Sequence, residues 1–454
     1  MKLIHTIDHS KHFWTVVRQK GLDYGTGLKK KGLRYWVTVF VLLVIGTVAG
    51  QLLGRYHAWI HFRYQIYKKL QDVGTLTRKE RRTVLVLISD DDYWKGPLER
   101  RVPLKRDYLA GLLEQLAKGE PAVIALDVDL RSPLPQHGAT DLAGYQEETN
   151  KLLETIEKVS EKRKLVLASS VTYDGTGYML DPSIYDGYGF DPQRVLHGYT
   201  KLPTDSRKVP LSIEVRNSNE KENSFASAIA RTRDHELITE AESDGELPYG
   251  HFSPLQDFQK ITAGDALHMD EPELREKIQG RIVIIGGAWH TGSYKGNDEI
   301  TNDSVDLHYT PVGYIQGAYL HANYVEALLG GTVRRGLSEP VAIIIEVICS
   351  LMVAICFALE GSLVRKFGRL FVVCGGVVGL SYFLWQNFGM FFDFFIPIVL
   401  LSAHGPIEEF RGTRAEVREL RKKLHESRNT EQHSQTPMTQ DGEEAVMDTG
   451  QVFQ

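Results

Sequence analysis

Thr83–Ser89 (TVLVLIS) runs straight into Asp90, Asp91 and Asp92, and the fold is read outward from this passage. The run is rich in Val, Leu and Ile and has no polar alternation, as in a strand buried on both faces of a parallel sheet. Tyr108, Leu109, Leu112, Leu113 and Leu116 then recur at helical spacing and form one apolar stripe. Lys118, Gly119 and Pro121 predict the end of that helix, with the glycine as its left-handed cap. Val123–Leu126 begins a second buried strand, which ends in Asp127, Val128 and Asp129. Strand geometry places Asp127 and Asp129 on one face. A right-handed crossover brings both acidic strand ends to the same edge of the sheet, where open α/β sheets bind ligands. A carboxylate-lined pocket is expected there.

Further along, Leu142, Tyr145, Thr149, Leu152, Leu153, Ile156 and Val159 mark a second amphipathic helix, and Leu165–Ala168 a third strand. These complete a β-α-β-α-β unit. Residues 173–200, rich in Gly, Asp, Tyr and Pro, read as a long surface insertion. The segment 201–260 gives no clear pattern apart from a helical patch at Phe225–Arg231. Arg281–Ile285 is a fourth buried strand running into Gly286 and Gly287, and Leu320–Leu329 is a final helix.

A chain of 454 residues has room for two or three domains. Its net charge of −5 argues against a dedicated nucleic-acid binder. The three cysteines, Cys349, Cys356 and Cys374, all lie in apolar runs, so neither a disulfide framework nor a metal cluster is encoded. Tyr35–Gly54 carries no charge and is long enough to span a bilayer. It reads as an uncleaved anchor. Gly46, Gly50 and Gly54 leave either a ridge for close helix packing or the ordinary glycine content of a membrane helix. Val341–Leu359 is a second span. Leu370–Trp385 and Met390–Ile407 form a third and fourth, which cross fully or re-enter.

Arg365, Lys366 and Arg369, the basic N-terminus, and the Arg/Lys-rich stretch after the last span place both termini in the cytoplasm. The expected division is a cytoplasmic segment 1–34, a span 35–54, an extracytoplasmic domain 55–340, spans 341–359, 370–385 and 390–407, and a cytoplasmic helix and tail 408–454. His5, His9 and His12 in the first segment read as a solvated or membrane-surface face. Residues 55–82 read as a helical lead into the sheet. Glu408–Arg428 is a charged helix with Phe410, Val417, Leu420 and Leu424 at heptad-compatible positions. The polar tail after Ser427 is predicted to be disordered.

Set in this layout, VLVLISDDD (84–92), VPLKRDYLAGLLEQL (102–116), AVIALDVDL (122–130), GRIVIIGGAWHTG (280–292) and TPVGYIQGAYLHANYVEALLGG (310–331) resemble the CHASE2 family. These are extracytoplasmic sensory domains of bacterial membrane receptors. The last stretch is the most specific, with Thr310, Pro311, Gly313, Gly317, His321 and Ala322 in family order. The resemblance implies an α/β sensor domain with a mostly parallel sheet, inserted between transmembrane helices, one before and three after. It implies a small extracytoplasmic ligand. Similar receptors continue into an output domain, whereas only a short charged segment follows the last span here. Signalling through a separate cytoplasmic effector, from a homodimer, is therefore expected.

No P-loop, HExxH motif, kinase catalytic loop or G-x-S-x-G elbow occurs, so no enzymatic activity and no cofactor is expected. The acidic cluster admits three uses: hydrogen bonds to a polar small molecule, a Mg²⁺ or Ca²⁺ site, or acid–base hydrolysis. The resemblance favours the first. A membrane scaffold with the outer domain as a docking surface is the alternative from another class. Gly286 and Gly287 permit close approach of a ligand or form a packing turn.

Arg106 stands at a helix start, where the macrodipole disfavours a cation. It is expected to pair with Asp90–Asp92, with Asp127 or with an anionic ligand group; the CHASE2 pattern also has an arginine here. The expected ligand set is Asp90, Asp91, Asp92, Arg106, Asp127, Asp129, Gly286 and Gly287, although Asp129 and Arg131 are also placed to pair with each other. His321 reads as a satisfied structural histidine. Glu346 and Gln51 lie at similar depth in the first two spans and are expected to touch, coupling them.

Overall fold

The computed structural model describes residues 32–53, 81–132, 143–203, 205–216, 221–233, 255–296, 301–310, 312–330, 339–359, 362–388 and 395–434, with scattered positions between. The N-terminal segment with its three histidines, most of 55–80 and the tail beyond 434 lie outside the described residues.

In chain order the helices are α1 (Leu33–Leu53), α2 (Arg106–Lys118), α3 (Tyr145–Ser160), α4 (Phe225–Arg231), α5 (Ala263–His268), α6 (Glu271–Ile278), α7 (Gly317–Leu329), α8 (Glu339–Ala358), α9 (Leu363–Phe388) and α10 (Phe395–Ser434). The strands are β1 (Thr83–Ile88), β2 (Val123–Asp127), β3 (Lys164–Ser169), β4 (Val171–Tyr173), β5 (Tyr178–Leu180), β6 (Val195–Tyr199), β7 (Ser212–Glu214), β8 (Lys221–Asn223), β9 (Gln259–Thr262), β10 (Ile282–Gly287), β11 (Leu307–Thr310) and β12 (Gly313–Gln316).

The larger of two units is built on a six-stranded sheet in the order β6-β3-β2-β10-β1-β9. Every pairing in it is parallel. Val84, Val86 and Ile88 of β1 enter one core layer with Leu109, Leu112 and Leu116 of α2 and Leu152 and Ile156 of α3. Leu85 and Leu87 enter the other with Phe225 of α4 and Leu320 and Val325 of α7. Two covered faces explain why the run lacks polar alternation. Local caps start the short helices: Ser224 accepts from Ser227 N, Thr262 from Asp265 N and Asp270 from Glu273 N, all at 2.9–3.0 Å.

Three expectations change. The segment 173–200 is more than an insertion, because it supplies β6, the edge strand paired with β3. The patternless segment supplies the opposite edge, β9. At the end of α2, Gly119 has φ −74°, and Glu120, with φ 55°, takes the left-handed conformation instead. Space, not backbone freedom, fixes Gly119: a Cβ there would lie 2.7 Å from Ile278.

The smaller unit gathers 1–50, 346–374 and 394–454. Tyr35 and Val39 of α1 pack with Val353, Ala354 and Phe357 of α8 and Leu401 of α10. The Tyr35 hydroxyl donates to the Ala354 carbonyl at 2.7 Å. Among the described residues, two helices are long and apolar enough to cross a membrane, over Leu33–Gly50 and Val364–Leu384, and the apolar part of α8, Ile343–Ala358, is shorter. The stretch expected as the third span lies within α9, which begins at Leu363. The fourth apolar segment and the charged helix are one element, because α10 runs 40 residues through Pro406.

Candidate functional site

Register defines the site. Gly286 pairs with Asp127 on one side and Leu87 on the other, and Leu87 pairs with Thr262. Asp127, Gly286, Leu87 and Thr262 therefore form one row on one face of the sheet. The first turn of α7 comes down on this row at Gly286, where a Cβ would stand 2.5 Å from the Ala318 Cβ. At Gly287 it would stand 2.6 Å from the Trp289 ring. Both glycines of the expected ligand set thus serve close packing; their open space is filled by protein.

A cavity of about 620 Å³ opens at the β1–β9 end of this row, a size suited to a small ligand. Leu87, Phe258 and Tyr319 give it an apolar wall, and Ser89, Asp90, Thr262 and Gln316 give it polar groups. Gln316 ends β12 and precedes α7. It is 4% exposed, and its Oε1 has no hydrogen-bond partner among the described residues.

The three consecutive aspartates diverge because Asp91–Lys95 forms one wide π-type turn. The Asp90 carboxylate accepts from the backbone N–H of His290 (2.7 Å), Lys295 (3.0 Å) and Gly296 (3.2 Å), and lies 2.8 Å from His290 Nδ1. Burial pushes its pKa upward, but these donors hold it below the usual carboxylate range. Asp90 thus ties the loop after β10 to the end of β1 while lining the cavity. Asp91 faces solvent and accepts from the Tyr294 hydroxyl at 2.8 Å. Asp92 turns inward, accepting from Ser89 N and Oγ and from the Tyr108 hydroxyl at 2.7–3.0 Å.

Arg106 does not pair with any of them, nor with Asp127. It is 1% exposed, and its Nη1 donates to the Asp129 carbonyl at 3.0 Å, while Nε and Nη2 have no partner among the described residues. The counter-charge at the start of α2 is Glu148 of α3, which accepts from Arg106 N at 3.1 Å and pairs with Arg101 through both carboxylate oxygens. A carboxylate suits a helix N-terminus, and the nearby aspartates are already engaged elsewhere. Asp129 pairs with Arg131 at 2.8–3.0 Å, one of the two arrangements open to it. Its alignment with Asp127 ends with the strand.

Asp127 has a different neighbour. Burial, and then the nearby charge of Asp306, push its pKa up to about 8. Asp306 lies over the first turn of α7, where a Cβ on Gly317 would collide with its carboxylate, and it meets His308 Nε2 at 2.7 Å. Burial pushes Asp306 upward too, but His308, His321 and Gly317 N hold it low. His321 is buried as expected but not satisfied: its Nδ1 has no partner among the described residues, and burial lowers its pKa to about 4.

Asp306, Gln316, Tyr319, Phe258 and Thr262 are not reached by reasoning from sequence. The GYIQG motif at 313–317 points to Gln316 and the approach of α7, whereas nothing local points to Phe258 or Thr262.

In the smaller unit, Glu346 accepts from the Thr47 hydroxyl of α1 at 3.4 Å. The expected partner, Gln51, stands one turn further along α1, and its side chain lies outside the described residues.

The model of the CHASE2 domain family matches residues 39–359, from within α1 to the residue after α8. No curated protein and no solved structure matches. With a matched region that covers the whole parallel sheet and most of the chain, the protein belongs to the CHASE2 family of sensory domains found in bacterial receptors.

Proposed function

We propose that this protein is a membrane receptor whose CHASE2 domain binds a small extracytoplasmic ligand in the cavity between the ends of β1 and β9 and the start of α7. The observation that carries the reading is the cavity of about 620 Å³ at the carboxyl edge of the parallel sheet, lined by Asp90, Thr262, Gln316 and Tyr319. A ligand biases only states that it distinguishes. Contact with Gln316 and Tyr319 bears on α7, which leads through the short segment 330–338 into α8.

In this reading α1 and α8 are coupled by Glu346 and Thr47, both termini are cytoplasmic, and α10 presents the signal. Phe410, Val417, Leu420 and Leu424 are exposed along α10 at heptad-compatible spacing, which supports a homodimer or a separate effector in trans. The experiment is extraction and mass spectrometry of small molecules from the full chain purified in nanodiscs, beside Ala288→Trp, which fills the cavity. A molecule retained by the wild type and lost in the variant supports the reading; equal content in both counts against it.

A further inference from the structure

We infer that α10 pairs with α10 of a second copy of this chain, parallel and in register, along Phe410, Val417, Leu420 and Leu424. The pairing rests on α10 leaving a membrane, as in the reading above, and is independent of the cavity. The four side chains are 43–64% exposed, so the described residues leave them uncovered. Phe410, Val417 and Leu424 stand seven residues apart and Leu420 follows Val417 by three, the a and d positions of a heptad. The residues bordering this seam select the occupant. Arg414 and Arg421 fall at e positions, and Glu409 and Glu416 at g positions. A parallel copy sets each g residue against the e residue five places on in the other chain, matching Glu409 with Arg414 and Glu416 with Arg421. An antiparallel copy sets e against e, and so arginine against arginine. The helix is complementary to itself in one orientation only, and two copies inserted in one membrane already share that orientation.

The contacts within α10 agree. Arg414 lies over the Phe410 ring at 4.5 Å, so its guanidinium borders the seam. The third g–e match, Lys423 with Arg428, is of like charge, but Lys423 is drawn to Glu419 of its own chain at 3.2 Å. On the outer face Lys422 lies 3.9 Å from Glu426, and the two signs are mixed there. A helix lying on lipid would present a basic face instead. The seam is short, yet α10 is one helix of 40 residues that begins in an apolar segment. Pairing therefore supplies neither helix nucleation nor orientation, and membrane anchoring raises the effective concentration.

The test is disulfide cross-linking of the full chain in membranes of expressing cells, with Cys349, Cys356 and Cys374 replaced by serine. Single cysteines are placed on the seam, Val417→Cys or Leu424→Cys, and on the outer face, Lys422→Cys. Each seam cysteine should form dimers about tenfold faster than the outer one. Arg414→Glu with Arg421→Glu should slow the seam cross-link about tenfold, and adding Glu409→Arg with Glu416→Arg should restore it to within about twofold. Equal rates at all three cysteines mean random collision and overturn the pairing. Cross-linking at only one of the two seam positions overturns the parallel register. Charge reversal that has no effect, or a loss that the compensating reversal does not rescue, overturns the second copy as occupant and leaves a different protein as the partner of this face. None of these results touches the retention of a small molecule by the cavity, so the receptor reading is judged separately.

Discussion

Asp127→Asn should change how stability depends on pH, and the sign is fixed by the site. In the folded chain the Asp127 carboxyl is pushed from its ordinary 3.8 up to about 8 by burial and by Asp306. The folded state therefore keeps a proton that the unfolded chain releases. The wild type loses no stability from this group below its unfolded pKa, and loses stability steadily as pH rises toward the folded value. One unit of difference corresponds to about 1.4 kcal/mol. Between about pH 4 and pH 6 the wild type should lose up to about 3 kcal/mol relative to Asp127→Asn, which cannot ionise. The assay is urea unfolding of both chains in nanodiscs, followed by tryptophan fluorescence, since Trp94 and Trp289 lie near the edge. Groups common to both chains, including Asp90 and His321, cancel to first order. A difference independent of pH, or a variant that loses ground as pH rises, would refute the reasoning.

Asp90→Ala removes the acceptor for three backbone N–H groups at 288–296. It should destabilise by about 3–5 kcal/mol and open that loop to limited proteolysis, and an unchanged cleavage pattern would contradict the role given to Asp90. Arg106→Met exchanges a guanidinium with two unmet nitrogens for an apolar chain of similar length. Stability should stay within about 1 kcal/mol of the wild type, whereas a loss above about 3 kcal/mol in urea unfolding would mean that the charge is used. Glu346→Leu removes the acceptor for Thr47. In a cysteine-free background it should lower disulfide cross-linking between cysteines introduced at Val39 and Val353, and an unchanged yield would end the coupling idea.

The core of the sheet was legible because its strands are covered on both faces, so TVLVLI and VIALD read as unbroken apolar runs. The edge strands were not. QKIT of β9 has three polar residues out of four, as an edge strand that meets no further strand among the described residues can, and VLHGY of β6 sits among turn residues. Membership of the acidic edge was legible, but not the job of each residue. Asp90 is fastened to a loop 200 positions away, and one wide turn sends its two neighbours in other directions. The position of Arg106 shows that it needs compensation, yet its neighbour Glu148 comes from α3, a contact that no local spacing encodes. Gln316 lies in the most family-specific stretch, but a polar group without a partner is visible only in three dimensions.

The central claim, a sensor domain outside the cell with the chain's last helix inside, is tested most directly by labelling single cysteines with a membrane-impermeant maleimide. Asp91→Cys and Glu426→Cys are suitable, because both side chains are well exposed. In intact cells Asp91→Cys should label at once and Glu426→Cys only after permeabilisation. Labelling of Glu426→Cys from outside, with Asp91→Cys protected until the membrane is opened, would contradict the account.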